Sequence, residues 1–127
     1  MSTPDFDLVA ASLRAESSDS HAYVEALARK LEDALPRATR VDRRSKRLLS
    51  REKVVRKIDV EVGETRYLLE VDDRGQPEPR RAKAVRGIVL KTEELGMDAW
   101  IDGLARDLTE HAANTEQGRI ALERLLI

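Results

Sequence analysis

Residues 57–71 read Lys57-Ile58-Asp59-Val60-Glu61-Val62, then Gly63-Glu64, then Thr65-Arg66-Tyr67-Leu68-Leu69-Glu70-Val71. The first run alternates charged and apolar side chains strictly, the period of a strand with one buried face. A two-residue loop with glycine first has the type II′ pattern, whose twist matches that of paired strands, so the segment predicts a β-hairpin. Such a loop sets the register: 62 opposite 65, 60 opposite 67, 58 opposite 69 and 56 opposite 71. Val60 and Tyr67 then share the core face with Ile58 and Leu69, while Glu61 meets Arg66 and Lys57 meets Glu70 on the outside. Two opposite-charge pairs falling into line support that register independently of the turn.

Helical patterns flank the hairpin. Thr3-Pro4-Asp5 supplies a capping hydroxyl, a proline suited to the first turn and an acid at the positive end of the dipole. With Phe6, Val9, Ala10 and Leu13 at helical spacing, it predicts a helix at about 4–15. A second helix is expected at about 20–35, with Val24, Leu27, Ala28, Leu31 and Leu35 inward. Glu25, Arg29, Lys30, Glu32 and Asp33 then lie outside, and Pro36 ends the helix. Thr39 and Val41 suggest a strand at 38–44, and Ser45 to Glu52 a loop. Asp72 to Pro79 reads as a loop and 81–91 as a further strand, with Gly87 a candidate bulge. Behind an Asp98 cap, Trp100, Ile101, Leu104, Ala105, Leu108 and Ala112 form a helical stripe. Asn114-Thr115 breaks it before a last short helix containing Ile120, Leu122, Leu125 and Leu126. The order α-α-β-β-β-β-α-α over residues 1–127 predicts a single α+β domain. Its antiparallel sheet has about four strands, with helices from both ends of the chain packed on one face.

Composition narrows the functional classes. A chain of 127 residues, 41% hydrophobic and 37% charged, can bury one modest core beneath an ionic surface. Aromatic residues are 3%, too few for a base-stacking platform. Without cysteine there is neither disulfide nor thiolate metal site, which fits a cytoplasmic protein. The first residues are acidic and carry no apolar run, so no signal peptide is expected, and no stretch has transmembrane length.

Between Arg37 and Lys57 lie ten basic residues and two acids, in a chain of net charge −1. This concentration points to an acidic or anionic partner. Leu48-Leu49 sits between Arg47 and Arg51, near the tip of the expected hairpin. Arg43, Arg44, Arg47, Leu48, Leu49 and Arg51 therefore read as a contact element, guanidinium forks for carboxylate or phosphate beside leucines for an apolar pocket. The plain counterpart is a solvated loop whose leucines fold back over the sheet edge. With no acid close by in sequence to neutralise them, these arginines are expected to be dispensable for stability. Arg80, Arg81, Lys83, Arg86 and Lys91 form a second, weaker basic cluster.

Catalytic patterns are missing. His21 and His111 lie on different expected helices without spacing partners, and Asp72-Asp73-Arg74-Gly75 lacks the ligand alternation of a calcium loop. No serine occupies a G-x-S-x-G elbow, and the glycines form neither a phosphate loop nor a dinucleotide fingerprint. No metal, cofactor or catalytic residue is expected, and an enzyme is the lesser expectation.

Phe6-Asp7-Leu8-Val9-Ala10-Ala11-Ser12-Leu13-Arg14, Arg80-Arg81-Ala82-Lys83, Arg86 to Lys91, and Trp100-Ile101 to Leu104 resemble a family of small uncharacterised proteins of high-GC Gram-positive (actinobacterial) bacteria. The resemblance covers most of the chain and implies no activity. The residues themselves favour a non-enzymatic interaction or adaptor module that binds a protein partner, or a second copy as a homodimer, through the basic hairpin and sheet. The alternative is a nucleic-acid-associated protein placing the same arginines on phosphates. A pI near 6.2 and the lack of a basic recognition helix weigh against it. No membrane partner is expected.

Overall fold

A computed structural model describes Val9 and residues 20–45, 51–114 and 116–126. Helix α1 (Ser20–Ala34) leads into strands β1 (Thr39–Ser45), β2 (Lys53–Val62), β3 (Thr65–Val71), β4 (Pro77–Val85) and β5 (Ile88–Glu94). Helices α2 (Met97–Asn114) and α3 (Glu116–Leu126) follow. The strands form one antiparallel sheet in sequence order, so every neighbour in the sheet is a neighbour in the chain. The α+β class is thus observed, with helices before and after the sheet. The expected helix at about 4–15 lies outside the described residues except for Val9, which is helical and fully buried. Among the described residues no helix is long and apolar enough to cross a membrane.

The central hairpin has the expected register from Lys57 opposite Glu70 to Val62 opposite Thr65. Gly63 has φ +59°, while Glu64 stays out of the positive region, as a type II′ turn requires. Val60 and Tyr67 face one another with no exposure, as do Ile58 and Leu69. Two details differ. The pairing with β3 stops before Arg56, the same residue that the β1–β2 register shift between Asp42 and Arg43 leaves without a partner across β1. The ion pair of Arg66 runs diagonally to Asp59, with its Nε 3.3 Å from Oδ1, rather than straight across to Glu61.

The expected fourth strand is two strands. Arg86 and Gly87 both have positive φ (53° and 81°) and turn the chain in two residues between Val85 and Ile88, a type I′ pattern. Arginine is an uncommon residue in that turn, which is why the sequence pattern suggested a bulge. The preceding loop is shorter than expected, Asp72 to Gln76, with Asp72 Oδ1 accepting from the main-chain N–H of Arg74 and Gln76 at 2.9 Å each. Pro77 and Pro79 therefore belong to β4. The carbonyl of Pro79 points towards Leu95, beyond the end of β5, and accepts its N–H at 3.1 Å. In an alternating ladder Pro77 points the same way, so neither missing donor interrupts the pairing with β3.

All described helices gather on one face. Val24, Leu27, Ala28 and Leu31 of α1 and Trp100, Ile101, Leu104, Ala105 and Leu108 of α2 bury against Val55, Ile58, Val60, Tyr67 and Leu69. Each valine, leucine or isoleucine among them contributes about 1.5–3 kcal/mol when taken from water. Trp100 meets Tyr67 edge to face at 5.9 Å, and its indole N–H donates to the carbonyl of Arg80 at 3.1 Å. The Tyr67 hydroxyl donates to Asp107 on α2. Burial and the Asp107 carboxylate both hold the proton on that phenol. Gly103 makes room for the contact, since a Cβ there would stand 3.1 Å from Tyr67 Oη and from Arg81 Nη1.

Candidate interaction site

The β1–β2 hairpin carries the basic segment, and α1 brackets it. Glu25 and Glu32 stand seven residues apart, two helical turns, and so project from one side of α1, flanking its apolar stripe. Both reach the hairpin. Glu25 accepts the main-chain N–H of Val55 at 2.8 Å, and Glu32 takes both terminal nitrogens of Arg43, Nη1 at 3.1 Å from Oε2. The Arg43 fork holds the Glu32 carboxyl below its usual range, and Glu32 in turn raises the guanidinium. Arg43 points to the helix side by the alternation of β1, which it shares with Thr39 and Val41, and the register shift, with Arg56 the extra residue in β2, brings Val55 opposite it.

The six residues expected to contact a partner are thus divided. Arg43 ties the hairpin to α1. The side chain of Arg44 is 72% exposed, with only a loose approach to Asp42 at 3.5 Å. Arg51 is exposed and forms no ion pair among the described residues. Arg47, Leu48 and Leu49 lie outside the described residues. Sequence reasoning placed Glu25 and Glu32 on the solvent side of α1; their spacing of seven was the signal that both could serve one neighbour.

The sheet face opposite the helices is a charge mosaic. Arg40 stands opposite Asp59, Asp42 opposite Lys57, Lys57 opposite Glu70 and Glu61 opposite Arg66. Arg80 lies between Glu70 (4.0 Å) and Glu78 (3.7 Å). Opposite signs stand directly across the β1–β2, β2–β3 and β4–β5 boundaries, and at β3–β4 Arg80 bridges the two acids Glu70 and Glu78 that face each other, a pattern that stabilises pairing modestly and keeps an uncovered face wet. Two shallow clefts open on it. One, of about 490 Å³, lies beside the hairpin and is lined by Asp42, Arg44, Arg56, Lys57, Glu70 and Asp73, among others. The other, of about 300 Å³, lies at the far end among Arg37, Arg40, Asp59, Glu61, Arg66 and Arg86.

Both clefts mix acids with bases. A phosphate backbone calls for a surface of one sign, whereas a mosaic suits a folded partner or peptide carrying both. Among the described residues no group of three or more histidines and acids is placed to hold a metal ion. No family model, curated protein or solved structure matches the chain.

Proposed function

We propose that this protein is a non-enzymatic interaction module that holds a protein partner through the β1–β2 hairpin and the adjoining open face of the sheet. The observation that carries the reading is the mixed-sign cleft beside the hairpin, with the exposed Arg44 in its wall and α1 anchoring the hairpin from behind. A hairpin held near the loop end of its paired strands presents guanidinium groups in a defined place, which lowers the ordering cost of binding. Leu48 and Leu49, at the turn in sequence, supply the apolar part of the contact, and Arg44, Arg47 and Arg51 the charge-assisted hydrogen bonds.

The test is affinity capture with the purified chain as bait, with and without nuclease and over a series of salt concentrations. Arg44→Ser/Arg51→Ser should abolish capture of the partner, and so should Leu48→Ser/Leu49→Ser, with Arg43 kept to preserve the fold. Capture that vanishes with nuclease, falls log-linearly with salt and ignores the leucines would overturn the reading in favour of phosphate contacts.

A further inference from the structure

Strand β5 ends the sheet, and β4 alone is paired with it. Helix α2 starts just after β5 but packs back over β4 and β2, so six of the seven β5 residues are exposed. Ile88, Val89 and Leu90 are among them, at 65%, 49% and 61% exposure. Three adjacent exposed aliphatic residues on an unpaired edge are what soluble chains ordinarily avoid.

The main-chain geometry says which groups that edge offers. Leu95 N–H donates to Pro79 on β4, and Glu64 on the far side of β4 accepts from Ala84 N–H at 2.7 Å. Because partners alternate along an antiparallel ladder, Lys91, Glu93 and Leu95 turn their main-chain groups to β4, and Thr92 and Glu94 turn theirs outward. The register shift between Lys83 and Ala84 lies towards the turn, which leaves Lys91 to Glu94 a regular strand.

Charge says what would fit. Lys91 stands directly opposite Lys83 on β4, a like-charge pair that weakens the hairpin, and neither lysine has an ion pair among the described residues. Glu93 binds Arg81 through Oε1 alone, at 2.6 and 2.8 Å, so its second oxygen is not engaged by that arginine. We infer that two copies of this chain pair β5 against β5, antiparallel, with Thr92 of each on the two-fold axis. That register sets Lys91 opposite Glu93 of the second copy, twice by symmetry, and Thr92 opposite Thr92. Moving the axis one residue either way sets Lys91 against Lys91 or Glu93 against Glu93. The two-fold closes the assembly, joins two five-stranded sheets with all helices on one side, and runs each Ile88–Leu90 segment beside the end of β5 in the other copy. The opposite edge, β1, is unsuited: Arg40, Asp42, Arg43 and Arg44 crowd it across a register shift.

The chain has no native cysteine, so one introduced thiol reports the register directly. Thr92→Cys places two thiols across a hydrogen-bonded pair at a Cα separation of about 5.5 Å, within reach of a disulfide. Glu94→Cys displaces them from one another by about four residues, beyond that reach. Mild oxidation should therefore give a covalent dimer from Thr92→Cys and not from Glu94→Cys. In sedimentation equilibrium, Lys91→Glu should raise the dimer dissociation constant at least about tenfold. Its melting temperature at dilutions where the chain is monomeric should hold or rise, since Lys83 then faces a carboxylate. A wild-type chain that stays monomeric up to about 1 mM, Glu94→Cys cross-linking as readily as Thr92→Cys, or Lys91→Glu dimerising undiminished would each overturn the proposal.

Discussion

Removing Arg43 should loosen the β1–β2 hairpin, whereas removing Arg44 and Arg51 should leave it in place. The Arg43–Glu32 pair joins residues on two elements, with side chains 31% and 37% exposed. Fully exposed pairs contribute about 0.2–1 kcal/mol, and hydrogen bonds to charged groups about 1.5–3 kcal/mol when water is excluded. A two-pronged fork at one-third exposure falls between these, at about 1 kcal/mol of coupling after screening. Loss of the packed arginine stem adds a few tenths, so Arg43→Ala should lower the melting temperature by about 3–6 °C in a chain of this size. A double-mutant cycle with Glu32→Ala isolates the coupling. It should also depend on pH in a definite direction. The folded-state Glu32 carboxyl titrates below its ordinary value of 4.5, so the unfolded chain takes up the proton first. The contribution is therefore complete above about pH 4.5 and is lost as the pH falls through the lower folded-state value. Calorimetric melts of the four proteins at pH 7 and at pH 3 measure it. Coupling under about 0.3 kcal/mol at pH 7, or coupling unchanged at pH 3, would refute the structural role given to Arg43.

Asp59→Ala should destabilise by about 1–2 kcal/mol in urea melts because it strands Arg66, while Glu61→Ala should cost under about 0.5 kcal/mol; equal losses would mean the straight pair prevails over the diagonal one. Gly103→Ala should lower stability by about 1–2 kcal/mol despite alanine's better helix propensity, because the added carbon presses on Tyr67 Oη and Arg81 Nη1. A gain in melting temperature would show that the contact relaxes freely. Arg86→Asn should stabilise the β4–β5 turn by about 0.5–1 kcal/mol, since asparagine tolerates positive φ better; no gain in thermal melts would count against the strain assigned there.

Legibility in the sequence followed how local each determinant was. The turn and the 57–62/65–70 register of the hairpin could be read, because turn residues, alternation and cross-strand charge agreed within fifteen positions, while the diagonal choice of Arg66 for Asp59 could not. The split of β4 from β5 could not, since Arg86 occupies a turn position that usually takes asparagine, aspartate or glycine. Pro77 and Pro79 hid the start of β4 because their tolerance depends on where β5 ends, a tertiary fact. In the candidate site, the basic character of the hairpin was plain, but the division between Arg43 and Arg44 was not. Alternation along β1 puts Arg43 on the helix side with Thr39 and Val41, but its tie depends on Glu32, an acid on a helix eleven residues away. The pairing of Lys83 with Lys91 was hidden for the same reason: it exists only once the I′ turn sets them opposite.

The sequence-ordered sheet bears on how this chain folds. Its four strand pairs are closed by loops of two to seven residues, so each hairpin can form without the entropy of a long closure. Synthesised from the N-terminus, residues 39–94 can assemble a complete sheet while α2 and α3 are still unmade. What must wait is the union of distant segments: Val24 and Leu125 belong to one buried cluster although 101 positions separate them. The step that limits the folding rate should therefore be the closing of the helical layer over a preformed sheet. Substitutions in α3 would then slow folding more than substitutions in the turns, and a chain halted before Leu125 would keep its strands paired but leave the helical layer without the last helix that packs on α1 and α2.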